Sequence, residues 1–167
     1  MNPAIADLFA QLTHGVYVVG VAAGDRRNVF TAAWVMQVSF DPPMLALAIN
    51  PAHSSYLLLE RGRGFSVNVL AADRLDLARH CGQPASADKL AALAWRPAPS
   101  GAPILDAASA WFECRLDGSV AAGDHRVVTA TVVGGAVQRT GAEPLLYRAT
   151  GALDGSAALY PDAFPAR

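Results

Sequence analysis

The sequence predicts a mainly β fold, a closed antiparallel barrel with helical insertions. Three observations support this prediction. Six or seven segments have strand character and most are joined by turns. The helical patterns gather in the middle of the chain, whereas a doubly wound sheet would alternate strand and helix throughout. No G-x-G-x-x-G follows any strand, so the chain lacks the Rossmann dinucleotide motif.

The first part of the chain predicts a short helix followed by a strand, a turn and a buried strand. Residues 3–13 place Ile5, Leu8, Phe9 and Leu12 on one helical face. The β-branched run 16–23 predicts a strand, and 24–28 predicts a hairpin-type turn. Asp41-Pro42-Pro43 must turn the chain, because consecutive prolines cannot continue a helix. The apolar run 44–50 has the composition of a buried strand.

The middle of the chain combines one strand with helical segments. Residues 54–62 predict a helix, with Ser at its start and Gly at its end. Residues 64–70 alternate cleanly and predict a strand. Two short helices are expected at 72–80 and 88–94, followed by a proline-rich excursion at 95–103.

Strands return in the last part of the chain. We predict them at 110–120, 126–138 and 144–148, because these segments are rich in β-branched and aromatic residues. At 167 residues the chain fits one domain spanning 1–167, with an irregular tail over 150–167.

Composition excludes several classes of protein. Apolar residues make up 53% and charged residues 16%, which is incompatible with a disordered chain. The net charge is −1 and basic residues are not clustered, so nucleic acid is not an expected partner. No apolar run approaches the length of a membrane span. Some of the apolar excess is expected between subunits, which predicts a homodimer.

The N-terminus and the cysteines predict a cytoplasmic protein. The first residues carry no positive charge and include Asp7, unlike a signal peptide. Cys81 and Cys114 fit no metal-binding or redox spacing, and two cysteines in a chain of this size are expected to be reduced. The four histidines are scattered, and neither H-x-x-x-H nor H-E-x-x-H occurs, so no metal site is predicted.

The stretch TAAWVMQVSFDPPML, residues 31–45, is the first candidate site. Ala32 and Ala33 are small enough to let a flat ligand reach main-chain N–H and C=O groups. Gln37 and Ser39 could add side-chain contacts. The alternative is an ordinary buried strand with Trp34 in the core.

The second and third candidate sites follow buried or strong strands. Ser54 and Ser55 lie where a helix begins, and with His53 they would form a cradle for a monophosphate. The alternative is a serine N-cap with no ligand. His125 follows Gly123-Asp124 at the mouth of a strand, where an imidazole could bond a cosubstrate, although a histidine there is commonly just solvated.

The chain resembles the short-chain flavin reductases, which have an FMN-binding split-barrel fold. The resemblance runs from about His14 to Tyr147, and its closest likeness is to the subgroup with Trp in the TA-x-W segment, including the reductase module of diflavin flavoproteins. Six pieces occur in the family's order: THGVYVVG, TAAWVMQVSFDPP, IN-x-x-x-SS, GFSVNVL, GAPIL and GDH.

The resemblance implies an antiparallel Greek-key split β-barrel and a homodimer that binds FMN, in preference to FAD, near the subunit interface. NAD(P)H would be the cosubstrate, and a monooxygenase or another redox protein would be the partner. His125 would be catalytic, near the nicotinamide or the flavin edge, as an orienting donor. Where many relatives carry Arg or Lys, this chain has His53. The flavin would be contacted at the ring by Thr31, Ala32, Ala33, Trp34, Gln37, Val38 and Ser39, and at the ribityl phosphate by Asn50, His53, Ser54, Ser55 and Lys89.

Two alternative functions remain, one that uses the same flavin contacts and one that has no flavin. The protein could be an FMN-binding electron carrier with no nicotinamide site of its own. It could also be a barrel without flavin that serves as a dimeric structural or interaction module.

Overall fold

A computed structural model describes residues 5–84, 88–151 and 153–165. Strands outnumber helices among these residues. The helices are α1 (Ile5–Phe9), α2 (Ser54–Gly62) and α3 (Leu75–Cys81). The strands are β1 (Tyr17–Ala23), β2 (Arg26–Ala32), β3 (Val35–Ser39), β4 (Met44–Ile49), β5 (Gly64–Val69), β6 (Trp95–Pro97), β7 (Pro103–Leu105), β8 (Ala110–Ala122) and β9 (His125–Val137).

Seven of these strands form one antiparallel sheet in the order β2-β1-β5-β8-β9-β4-β3. Strands β2 and β3 are neighbours in the chain, yet they form the two opposite edges of the sheet. The curled sheet is therefore split between them. This arrangement, together with the solved structures compared below, confirms the predicted split-barrel fold class.

Both faces of strand β1 are buried. Val19 and Val21 belong to one apolar cluster, which fills the barrel and includes Phe65. Val18 belongs to a second cluster beneath α3, which includes Leu77. Alternate side chains of a strand point to opposite faces, so a strand covered on both sides needs a continuous apolar run. The run at 16–23 has that composition.

Helix α2 packs closely against β1 at a glycine. A Cβ on Gly62 would lie 1.7 Å from the carbonyl oxygen of Ala22, closer than any side chain can be. Arg63 then ends the helix in the left-handed conformation, with φ 56°, and its N–H bonds the Leu59 carbonyl. The predicted helix 54–62 is confirmed, and its position on the sheet depends on this close contact.

Several predicted helices are shorter than the sequence indicated. Helix α1 spans five residues instead of 3–13, and residues 1–4 lie outside the described residues. Leu8, Phe9 and Leu12 are exposed, because little of the chain covers that face. The helix predicted at 72–80 begins at Leu75, and the one predicted at 88–94 is a single 3₁₀ turn at Leu90–Ala92.

The proline-rich segment contains strands that were not predicted, and one predicted strand is wrong. The proline-rich segment 95–103 contributes to a two-stranded hairpin, β6 with β7, because Pro97 and Pro103 sit at the ends of the strands, where they are tolerated. The segment 144–148 is not a strand. Leu145 lies between the ends of β1 and β5, where its N–H donates to the Leu70 carbonyl and its carbonyl accepts the Val16 N–H. The segment makes only isolated antiparallel bridges there, so no strand forms.

Residues 41–43 turn the chain between β3 and β4, as predicted, and the Asp41-Pro42 peptide bond is cis. Within the described ranges, no helix has both the length and the apolar character needed to cross a membrane.

Candidate ligand-binding site at the split edge

Strand β2 organises the candidate site because it is an edge strand with main-chain groups that face away from β1. The Val29 carbonyl accepts a hydrogen bond from Lys89 Nζ at 3.0 Å, from outside the sheet. In an antiparallel edge strand, every second residue directs its N–H and C=O to the open side. Thr31 lies two residues after Val29, so its main-chain groups face the same open edge.

A pocket with a volume of about 250 Å³ lies beside the end of β2. Ala32 and Ala33 form one wall, and their methyl groups leave the main chain accessible to a flat ligand. The other walls come from α3 with the turn that follows it and from the C-terminal segment. The lining residues are Val16, Thr31, Ala32, Ala33, Ala78, Arg79, Gly82, Gln83, Tyr147, Thr150, Leu153 and Asp154.

The Thr31 side chain has a structural bond within this pocket. Its hydroxyl donates to the carbonyl of Ala78 in α3 at 2.7 Å, which ties the end of β2 to that helix. The hydroxyl proton is therefore committed to the protein. What Thr31 offers a ligand is its main chain and the lone pairs of its hydroxyl oxygen.

The start of α2 is capped by His53, not by serine. His53 Nδ1 accepts the main-chain N–H of Ser55 at 3.2 Å. Ser55 is buried, and its hydroxyl oxygen accepts a bond from Asn28 Nδ2 of β2 at 2.9 Å. Ser54 is exposed at the first position of the helix. Asn50 uses its side-chain oxygen to accept the N–H of Ala52 at 2.9 Å, which shapes the loop before the helix.

Lys89 and His53 both lie beside the middle of β2. Lys89 is only 2% exposed, and it donates to the carbonyls of Val29 and Cys81, at 3.0 and 2.9 Å. An ammonium group has three N–H donors, so one remains. The His53 ring lies 4.8 Å from the ring of Phe30. Burial, and then the charge of Lys89, lower the pKa of His53; burial likewise lowers the pKa of Lys89.

This pair makes the start of α2 favourable for an anion. Both pKa values are lowered mainly because burial removes water from the cationic forms of His53 and Lys89. A bound anion would supply a negative charge and would also meet the positive end of the α2 dipole.

A second pair of rings lies next to the pocket wall. Trp34 directly follows Ala33, and its ring lies 4.8 Å from the ring of His125, tilted by 54°. His125 Nδ1 is 2.8 Å from a carboxylate oxygen of Asp124. Trp34 is 45% exposed, so the alternative that placed it in the core is wrong for this chain.

The structure brings most of the predicted site residues together through β2. Thr31, Ala32 and Ala33 line the pocket, while Ser55 and Lys89 bond to β2 itself. Gln37, Val38 and Ser39 are different, since they lie in β3 at the other edge of the split. Gln37 Nε2 donates to the Ser39 carbonyl at 3.3 Å, next to a β-bulge.

The walls of the pocket that come from α3 and from the C-terminal segment were not predicted from the sequence. Arg79 and Tyr147 line it, and the Tyr147 hydroxyl bonds Asp154 at 2.9 Å and Ser156 at 2.6 Å. Asp-Gly-Ser at 154–156 has the composition of a turn, but nothing in the sequence joins it to β2. In the part of the chain that the structure describes, no group of three His, Cys, Asp or Glu residues could hold a metal ion.

Comparison with known families gives a match over most of the chain. The model of the flavin reductase like domain matches residues 9–155. The FMN reductase (NADH) RutF of Bradyrhizobium diazoefficiens is 38% identical over 81% of this chain and 74% of its own length.

A second relative is longer than this chain. The reductase component of the flavin-dependent trigonelline monooxygenase of Acinetobacter baylyi is 33% identical over 77% of this chain and 41% of its own length. The chain likewise spans only 42% and 25% of two other curated relatives that it matches.

A solved structure supports the same similarity. The NADH:FAD oxidoreductase of Streptomyces globisporus superposes with a TM-score of 0.79 at 26% identity. The superposition covers 86% of this chain and 86% of that chain.

Proposed function

The chain belongs to the flavin reductase like family, as its motifs predicted, and on this premise we propose that it is an NAD(P)H-dependent FMN reductase. One observation carries the proposal: a single strand, β2, joins a wall of small residues to a cluster of a buried lysine, Lys89, and a histidine, His53. The wall suits a planar ring, and the cluster suits a phosphate. Bound FMN would supply the N5 atom that accepts a hydride from the nicotinamide.

The ring end of FMN would lie along Thr31, Ala32 and Ala33. Main-chain groups on the open side of β2 can bond ring heteroatoms, and the alanine methyl groups permit close approach. Main-chain N–H groups near the pyrimidine part of the ring would stabilise negative charge on the reduced flavin. Gln37, Val38 and Ser39 of β3 would close over the ring from the other edge of the split.

The phosphate end would lie at the start of α2. Lys89 retains one N–H donor, and His53 and Ser54 are accessible enough to contact an anion. Asn28 holds the buried Ser55 in place, and the Asn50 loop would contact the ribityl chain. Hydrogen bonds to a charged phosphate contribute roughly 1.5–3 kcal/mol each.

His125 would act on the nicotinamide. It packs against Trp34, which adjoins the ring wall, and its imidazole could orient the nucleotide over the flavin. The name of the Bradyrhizobium relative includes NADH, which supports a reduced nicotinamide nucleotide as the electron donor.

The active form would be a homodimer. Strand β3 and the residues on either side of it expose large apolar side chains, which a monomer would leave in water: Trp34, Met36, Val38 and Phe40. Phe40 is 90% exposed. Contiguous exposed apolar surface of this kind is typical of a subunit interface. Because β3 borders the split, the partner subunit would lie close to the flavin.

Reduced FMN would be passed to a monooxygenase or to another redox protein, in the cytoplasm. A relative named as the reductase component of a monooxygenase supports this kind of partner.

Both cysteines are unpaired and buried, and burial raises the pKa of Cys81 to about 11 and that of Cys114 to about 12. Such thiols are poor nucleophiles, which supports the exclusion of thiol chemistry from the function.

The test is anaerobic mixing of the FMN-loaded protein with NADH and with NADPH, followed by flavin absorbance. We expect rapid bleaching with at least one nucleotide. His125→Ala should slow the reduction by NADH about tenfold or more, since removal of an orienting contact lowers the rate of a positioned reaction. It should leave the dissociation constant of FMN, measured by fluorescence quenching, within about twofold, because the proposed contact is to the nicotinamide.

Two other results would contradict the proposal in different ways. A protein that binds FMN and bleaches only with dithionite would be an electron carrier. A protein that fails to quench FMN fluorescence would be a structural or interaction module.

A further inference from the structure

The turn between β8 and β9 places a carboxylate against the imidazole of His125. Ala122 pairs with His125, so the turn consists of Gly123 and Asp124. Gly123 has φ +63°, and the first central position of a type II′ hairpin turn requires such a value. Asp124 therefore immediately precedes the first residue of β9, and its carboxylate oxygen lies 2.8 Å from His125 Nδ1.

This contact decides which nitrogen of His125 carries the proton. The hydrogen bond from His125, and then its charge, hold the pKa of Asp124 below its usual value, so the carboxylate is ionised. An ionised carboxylate can only accept hydrogen bonds. Nδ1 must then be the donor, and a neutral His125 has a bare Nε2, which can only accept.

The packing of His125 fixes the orientation of that acceptor. One face of the imidazole lies against Trp34, at 4.8 Å between ring centres, and the His125 side chain is 23% exposed. The ring is thus held on one edge by Asp124 and on one face by Trp34. Nε2 lies on the ring edge opposite to the bond with Asp124, so it is the nitrogen left for a ligand.

We propose that Asp124 is a positioning residue that keeps the proton of His125 on Nδ1, so that Nε2 accepts a hydrogen bond from the carboxamide N–H of the nicotinamide. This inference rests on the proposed function, and it changes the role expected for His125 from donor to acceptor. The carboxamide is the part of the nicotinamide ring that carries N–H groups. A nucleotide without that amide would gain nothing from the Asp124–His125 pair.

The kinetic test compares NADH with reduced 3-acetylpyridine adenine dinucleotide, in which a methyl ketone replaces the amide. Asp124→Ala and His125→Ala should each lower kcat/KM for NADH about 5- to 10-fold, as expected for loss of one hydrogen bond to the substrate. With the acetylpyridine nucleotide, both variants should lie within about twofold of the wild type. Equal losses with both nucleotides would overturn the proposal.

A matched control exists in the β1–β2 hairpin. Its turn, Gly24–Asp25, has the same residue types, and Gly24 has φ +60°. Arg26, not histidine, follows Asp25. Asp25→Ala changes the same chemistry in a turn of the same length, and it should leave kcat/KM for both nucleotides unchanged. A comparable loss in this variant would assign the Asp124→Ala effect to a general change of charge and would overturn the proposal.

Nitrogen NMR of ¹⁵N-histidine-labelled protein gives a readout independent of activity. The His125 signals are identified by their absence from the His125→Ala sample. At pH 8 the wild type should have its proton on Nδ1, and Asp124→Ala should move a substantial fraction to Nε2. A proton on Nε2 in the wild type would overturn the proposal.

Different results would refute the proposed reductase function and the proposed role of Asp124. If neither nucleotide reduces the wild-type FMN complex, the proposed reductase function is refuted. The assignment of Nε2 to a nicotinamide is then refuted as well. Reduction by NADH, combined with equal losses for the two nucleotides, would refute only the assignment.

Discussion

The closed side of the barrel and its split edge satisfy their polar groups in opposite ways. On the closed side, Asn68 of β5 is fully buried, and it donates to the carbonyls of Val18 and Pro103 and to the hydroxyl of Ser66. Its side-chain oxygen accepts the N–H of Leu105 at 2.8 Å. Both the nitrogen and the oxygen of this amide are bonded within the chain.

At the β3 edge of the split, large apolar side chains face water. Gln37 makes one hydrogen bond, of 3.3 Å, and Phe40 is almost fully exposed. A fold whose polar groups are satisfied on one side gains its stability there. The side that leaves main-chain groups and apolar surface uncovered is the side available to a ligand and to a second subunit.

Replacement of Asn68 should break the closed side and produce the largest effect. Asn68→Ala removes three donated bonds and leaves the buried N–H of Leu105 without its acceptor. We expect the free energy of unfolding to fall by roughly 3–5 kcal/mol, from the cost of unpaired buried polar groups. Urea denaturation followed by circular dichroism measures it.

The matched variant at the split is Gln37→Ala. Its side chain is exposed and makes a single long bond, so the free energy of unfolding should change by no more than about 0.5 kcal/mol. Similar losses in the two variants would show that the closed side is no more stable than the split.

A charge directly after β3 should affect association without unfolding the chain. Phe40→Glu places a carboxylate in the proposed subunit interface and should weaken the dimer about 100-fold, because a charge buried at an interface is uncompensated. Analytical ultracentrifugation across a concentration series measures the shift. Leu159→Glu, which changes an 84% exposed leucine of the C-terminal segment, should remain dimeric. Dimers of unchanged affinity in Phe40→Glu would place the interface elsewhere.

The smallest effect should be a change in the pH dependence of stability. Burial and Lys89 lower the pKa of His53 below 6.5, so the unfolded chain binds the additional proton more readily than the folded chain. The stability that the folded chain owes to a neutral His53 is fully present above pH 6.5 and is lost as the pH falls below 6.5. Protonation of Nδ1 would also remove the acceptor that caps α2.

His53→Asn isolates this effect, because asparagine caps helices well and does not titrate. At pH 8 the variant should have nearly the wild-type midpoint of urea denaturation. Between about pH 6.5 and 5 its midpoint should fall less steeply than that of the wild type. Parallel curves for the two proteins would assign no role to His53 in the acid response.

Local sequence patterns predicted the parts of the fold that depend on local chemistry. The 16–23 strand, the 54–62 helix and the turn at 41–43 follow from periodicity, helix-ending residues and proline. The weaker predictions are those in which tertiary contacts decide the outcome. Residues 144–148 have the composition of a strand, but Leu145 inserts between the ends of β1 and β5, so a regular ladder does not form.

Some features of the candidate site were likewise predicted from local sequence, and others depend on tertiary contacts. The sequence indicated the small residues at 32 and 33 and the polar start of the helix at 54. It did not identify the cap of that helix, which is His53, a residue whose ring lies beside Phe30 of β2. It also could not join Lys89 to Val29, which lie 60 residues apart in the chain.

The amino-acid sequence by itself determined the family, the mainly β architecture and the residue types that a flavin and its phosphate require. Only the tertiary structure decided that β2 and β3 form opposite edges of one sheet, which of their groups face the split, and which nitrogen of His125 bonds Asp124. The physical reason is range. Strand and turn preferences act between neighbours in the chain, whereas edge pairing, burial and the tautomer of a histidine depend on groups that only folding brings together.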